Sequence, residues 1–367
     1  MSHATAEGNR PYAFDPATAL GWKNIGLDGL GCFLRSVEAV LIQQGYGAVD
    51  VARGLAAPLD LVRRGEWYGP MSEFPACTVR WYLADIGGGH RQWPRVAELV
   101  ASGTPVVLMP DGHHWPGDDH EGKEHYHHHM VLAHHLDADG LHLLDTDAPA
   151  EAGHRRVLPV DDALRASCTR YAVLERIDAP PADRLDAPTE ESADELADES
   201  VDELADELVR ASLLPLAEDV AELRAFHADV WSGARLPLLL AKGMDVWVLG
   251  DVQPQLFLLG HALAGADDPR AREVSRASLA AAARAQKVGL LLLGLHRFRS
   301  EGVYAMTHEE IAVLADACAE LLAAMCRYAG VEPPRVTGDG LRLVRRLRGE
   351  SQWCFGEGGP LPELTFG

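Results

Sequence analysis

Three residues in one order suggest covalent chemistry: Cys32 at the head of an apolar helix, His129 at the start of an apolar strand, and Asp145 at the end of the next strand. A thiol attacks a carbonyl carbon only as thiolate, and a helix N-terminus or a nearby imidazole favours that form. Cys32 follows Gly29-Leu30-Gly31, and Phe33, Val37, Val40 and Leu41 form the apolar stripe of the helix it opens. The glycines let backbone amides approach the thiol, where they can serve an oxyanion, and the helix dipole favours negative charge there. Asp145 stands sixteen residues after His129, where a carboxylate can fix the imidazole tautomer and stabilise its protonated form. Each signal alone is weak: a cysteine opening an apolar helix is more often core, and 17 histidines make chance spacings common. The ordered combination carries the inference.

The elements that must position these residues are legible around them. Residues 32–44 predict a helix ending at Gly45, a residue suited to a helix C-terminus. Residues 103–110 predict a short buried strand bounded by breakers. Residues 129–135 and 141–145 flank a turn ending in Asp139-Gly140, which predicts a hairpin. Residues 170–177 alternate as a closing strand. Helices and strands do not alternate regularly, so residues 1–178 read as an α+β domain. Residues 179–207 read as a Pro-containing acidic linker, in which twelve acidic residues face Arg184 alone between Asp183 and Glu207. Its acidic pairs recur every four residues, a period that drifts around a helix and sets like charges at i,i+4, so a solvated and partly helical spacer is expected. Residues 208–367 read as an all-α domain, with helical spacing over 213–230, 253–266, 269–295, 308–329 and 339–348. Thr307 with Glu310 three residues on suggests a capping box.

Bulk properties exclude several function classes. A chain of 367 residues suggests two domains. A net charge of −22 argues against general nucleic-acid binding, which needs a basic face. No uninterrupted apolar run reaches the length that spans a bilayer, the longest being residues 288–295, so no membrane partner is expected. The first residues show no basic and then apolar leader pattern, which makes the cytoplasm the expected location. The six cysteines form no CxxC and no dense framework, so free thiols are expected.

Three segments resemble a known family. Residues 31–36 through Gly45-Tyr46, then His129-Met130-Val131-Leu132 through Asp139-Gly140, then Leu143-Leu144-Asp145, are similar to the core motifs of papain-like, C39-peptidase-related proteins. The closer likeness is to the family of butirosin biosynthesis protein H, which joins a cysteine-dependent acyltransferase-like domain to a helical domain. The run 105–111 resembles that family's middle section and residues 171–175 its closing strand. The likeness covers about half the chain by motif, and the helical half by general architecture only.

The resemblance implies a papain-like domain followed by a helical one, with Cys32 as nucleophile, His129 as base and Asp145 as orienter. The implied reaction is acyl transfer from an acyl or peptidyl carrier-protein thioester, through an acyl-cysteine, to a small-molecule amine in secondary-metabolite biosynthesis. It implies no cofactor, phosphopantetheine entering only as part of the carrier substrate. Two departures bear on the chemistry. Papain-like enzymes carry an oxyanion-hole glutamine six residues before the cysteine, where this chain has Gly26, and the closer family often has histidine where this chain has Gly31. Asn24 is then a weak candidate donor. Loss of that donor weakens peptide cleavage more than acyl transfer, because a thioester is already activated. A Dieckmann-type cyclase or thioesterase, a cysteine peptidase and a catalytically silent scaffold are the alternatives.

Other features have plainer readings. Histidines crowd residues 113–135. His127 and His129 share one face of an extended strand and could chelate together, but the nearby Asp111, Asp118 and Asp119 follow no known ligand spacing. A solvated lid is the expected role, with no metal assigned. His128 rivals His129 as base; His129 is preferred because it directly precedes the apolar strand. Arg335, Arg342, Arg345, Arg346 and Arg348 form a basic run that a solvated helix face explains, and that would also suit docking of an acidic carrier protein. The aromatics Trp22, Trp67, Tyr68, Trp81, Tyr82 and Trp93 suit a substrate pocket, although core packing is the commoner role for any one of them.

Overall fold

The computed structural model describes residues 31–44, 46–62, 71–127, 129–146, 148, 154–177, 190–231 and 238–355. The protein is α+β, with one antiparallel sheet and a largely helical C-terminal half.

Seven strands build the sheet: β1 Met71–Glu73, β2 Cys77–Leu83, β3 Val106–Leu108, β4 Val131–Leu136, β5 Leu141–Leu144, β6 Arg155–Leu158 and β7 Arg170–Ile177. Their order is β1-β2-β7-β3-β4-β5-β6. The predicted strand at 103–110, the hairpin at 129–145 and the closing strand at 170–177 are β3, β4–β5 and β7. Central β3 pairs Leu108 with Val131 of β4 and with Tyr171 of β7, so its end meets the start of β4. The hairpin pairs Leu132 with Leu144 and Ala133 with Leu143.

Alternation along these strands separates two cores. Val107, Met109, Met130, Leu132 and Leu144 join one apolar cluster, while Val106, Leu108, Val131, Ala133, Leu141 and Leu143 join another. Helix α1 (Cys32–Gln43) packs on the first face, burying Phe33, Leu34, Val37, Val40 and Leu41 as its apolar stripe predicts. Helix α2 (Ala48–Leu55) packs beside it. Helices α3 (Gly89–Ala101) and α4 (Asp162–Ser167) cover the second face, where Trp93, Val96, Val100 and Leu164 meet Trp115.

The C-terminal half holds α5 Glu190–Ala225, α6 Leu238–Trp247, α7 Gln253–Ala262, α8 Pro269–Phe298, α9 Glu301–Ala329 and α10 Leu341–Phe355, with π-helical stretches at Phe226–Trp231 and Val248–Val252. The acidic repeat from Glu190 onward belongs to the continuous helix α5 rather than to a partly helical spacer. Its Ala205, Leu208, Val209, Ser212 and Leu216 are buried at helical spacing, and tertiary packing of that stripe outweighs the like-charge repulsion. Thr307 is likewise no N-cap. It lies inside α9, where its hydroxyl donates to the Val303 carbonyl at 2.7 Å.

The first apolar cluster continues from α1 and the sheet into α5–α10. Polar ties reinforce the junction: the Leu59 amide donates to Ser212 Oγ at 2.7 Å, the Leu61 amide to Asp219 Oδ2 at 2.6 Å, and Trp247 Nε1 to the Leu61 carbonyl at 2.7 Å. Helix α8 is the one described helix long and apolar enough by length and composition to cross a membrane; 44% of its apolar window is buried inside the fold, where it packs against α7 and α9.

Candidate active site

Gly31 stands in extended conformation (φ −65°, ψ 167°) just before α1, and its carbonyl accepts the Arg35 amide at 3.0 Å, closing the first turn behind Cys32. A Cβ at position 31 would lie 3.3 Å from the Leu249 carbonyl, so glycine lets the helical half approach the start of α1 closely. The Cys32 side chain is partly exposed and packs against the first apolar cluster. Cys77, Cys168, Cys318 and Cys326 are free thiols too. Burial pushes the thiols of Cys168 and Cys318 up to about 12, which removes them as nucleophiles at neutral pH. Cys32 is the one partly exposed thiol among these described cysteines.

His129 and Asp145 meet because the hairpin register sets them together. Leu132 opposes Leu144, so one residue beyond the strand end Asp145 lies diagonally across from His129. His129 Nε2 stands 2.7 Å from Asp145 Oδ1, with the imidazole 8% and the aspartate 1% exposed. A buried carboxylate needs partners to stay ionised, and Asp145 has another that the sequence did not suggest. Arg156 Nη1 donates to Asp145 Oδ2 at 3.3 Å, its Nη2 donates to the Pro116 carbonyl, and its guanidinium lies 5.7 Å from the Trp115 ring centroid. The Asp145 amide donates to the carbonyl of His154, which takes a left-handed φ of 58°, at 2.8 Å. This turn returns β6 beside β5 and brings Arg156 opposite Leu143.

Cys32 packs with the cluster that holds Met130, Leu132 and Leu144, whereas Trp115 and Leu143, beside Arg156, belong to the other. No hydrogen bond joins the Cys32 thiol to His129 among the described residues. The sequence-predicted base and orienter are therefore brought together, and the thiol is not bonded to them. Gly26, Asn24 and the rival base His128 lie outside the described residues.

The Nε2 atoms of His127 and His129 have different partners. His127 Nε2 stands 2.7 Å from Thr169 Oγ1, while His129 is turned to Asp145. Of the aromatics, Trp81 is core, tilted against Phe33 at 5.4 Å between ring centroids, and Trp93 is core on the buried face of α3. Tyr82 is exposed and stacks on Tyr171, and Trp22, Trp67 and Tyr68 lie outside the described residues.

Compared with models of known protein families and with curated proteins, the chain matches none of them.

Proposed function

We propose that this chain is a cysteine-dependent acyltransferase with a papain-like N-terminal domain, in which Cys32 is the nucleophile, His129 the base and Asp145 the orienter. The observation that supports it best is the buried His129–Asp145 pair, 2.7 Å apart on adjoining strand ends. With Nε2 held by the carboxylate, Nδ1 is the ring nitrogen that would take the thiol proton. The Cys32 thiolate would then attack a carrier thioester; the carbonyl–sulfur bond to the carrier breaks, and the imidazolium proton passes to the departing thiol. An amine next attacks the acyl-cysteine, the Cys32 thiolate leaves, and the proton shed by the amine reprotonates it through His129. Thioester exchange is nearly isoenergetic, and amide formation drives the sequence forward. Release by cyclisation or hydrolysis uses the same acyl-cysteine.

A second reading, a catalytically silent scaffold, is favoured by the lack of a hydrogen bond between the Cys32 thiol and His129 among the described residues. Turnover separates the two. With carrier-bound acyl thioesters and an amine acceptor, the acyltransferase reading expects amide formation to fall roughly 10²–10⁴-fold in His129→Ala. No amide with any carrier thioester, or equal rates in the variant, would favour the scaffold.

A further inference from the structure

The turn that follows β3 gathers a second constellation, apart from the His129–Asp145 pair. One donor atom each from Asp111, His114 and His125 lies within 4.8 Å of the others. We propose that these three side chains form a binding site for a zinc-class divalent cation, with His113 beside them.

The chemistry of the donors matches the ion. Two imidazoles and one carboxylate are the nitrogen–oxygen set that tetrahedral zinc takes, and three protein ligands leave a fourth position for water or a substrate group. The site is held by rigid parts. Asp111 is fully buried, its amide donates to the Ser167 carbonyl at 2.9 Å, and its Oδ1 accepts the His113 amide at 3.1 Å. Its Oδ2 is thereby turned to His125 Nδ1, 2.6 Å away. In a tetrahedral zinc site, bonds near 2.0–2.2 Å separate two ligand atoms by about 3.3 Å. Replacing the shared proton with a metal therefore asks these two atoms to part by a fraction of an ångström.

Gly112 closes the arrangement. Its amide donates to the Tyr126 carbonyl at 2.8 Å, and an added Cβ would fall 3.0 Å from both that carbonyl and Asp118 Oδ1. Any larger residue here would press on the segment bearing His125, so glycine suits the close approach of the 111–114 turn. His113 supplies a further, independent sign: its ring lies 4.5 Å from that of His125, and its Nδ1 is buried with no hydrogen-bond partner among the described residues. A buried imidazole nitrogen without a partner is costly unless something else satisfies it. Bound metal water would do so.

A hairpin cluster of His135, Asp137 and His142 is the internal control, because its ligand atoms are equally close but His135 and Asp137 are exposed. Full-length protein is loaded with zinc chloride, desalted and assayed for bound metal by mass spectrometry; cobalt(II) loading reports geometry by its visible absorption. Wild type and His142→Ala should retain about one zinc and show the tetrahedral cobalt band. His114→Ala and His114→Gln, at a half-exposed position that leaves Asp111 intact, should bind at least about tenfold more weakly and lose the band. Equal retention in the His114 variants, loss in His142→Ala alone, or no zinc surviving desalting in wild type would overturn the site.

Discussion

His129 Nε2 and Asp145 Oδ1 stand 2.7 Å apart at the open end of a hairpin, and Arg156 from the next strand secures the second carboxylate oxygen at 3.3 Å. The aspartate is thus held on both oxygens while almost wholly buried. The pair has the order expected of a base and its orienter, with the guanidinium acting as a positioning group behind them.

Asp145→Asn should preserve the fold yet remove the charge that stabilises a protonated His129. We expect the imidazole NMR titration of His129 to move to lower pH, and any acyl turnover to drop roughly 10²–10⁴-fold. Arg156→Gln should act through Asp145, lowering stability by about 1–3 kcal/mol because a buried oxygen loses its charged donor, and Arg156→Lys should recover part of the loss. An unchanged His129 titration in Asp145→Asn would show that the contact has no electrostatic consequence.

His134 supplies a pH dependence of known sign. Burial, with His142 and His135 nearby, lowers its pKa from 6.5 to about 4. The unfolded chain takes up the proton near pH 6.5, while the folded chain resists until about pH 4. The contribution of neutral His134 is therefore fully present above the unfolded value and is lost as pH falls through that window. In His134→Gln the drop in urea stability between pH 7 and pH 4.5 should shrink, by no more than about 3 kcal/mol. An undiminished drop would assign the acid sensitivity elsewhere.

The basic run that leads into and along α10 divides into two kinds of arginine. Arg346 is tied to the buried Asp251, and Arg342 reaches Glu218 at 3.1 Å and Glu222 at 3.3 Å, so both serve the fold. Arg335, Arg345 and Arg348 are exposed. Arg346→Glu should therefore unfold the helical half, because it sets two carboxylates together in a buried site. Arg345→Glu with Arg348→Glu should keep the melting temperature and raise the KM for an acidic carrier protein severalfold at low salt. Unchanged carrier kinetics in the double variant would remove this surface from docking.

Periodicity explains how much of this was legible. A short apolar run between breakers marks β3, the Asp139-Gly140 turn between apolar segments marks β4 and β5, and alternation marks β7, so the hairpin pairing His129 with Asp145 could be read from residues alone. The short edge strand β6 leaves Arg155 and Val157 exposed and carries no such pattern. The acidic repeat misleads because its charges dominate the composition, while the buried stripe through Ala205, Leu208 and Ser212 decides that α5 forms. Arg156 was invisible because its role depends on β6 lying beside β5. The same is true of Asp111, His114 and His125: their spacing matches no ligand motif, and only the close approach at Gly112 brings them together.

The central claim is that Cys32 carries an acyl group, and intact-mass analysis tests it most directly. Wild-type protein and Cys32→Ala are each incubated with a panel of acyl-carrier thioesters, without acceptor, and weighed. The account predicts a wild-type adduct equal to the acyl group, mapping to Cys32 and absent from Cys32→Ala. An adduct of equal yield in Cys32→Ala, or none on wild type across the panel, would contradict it.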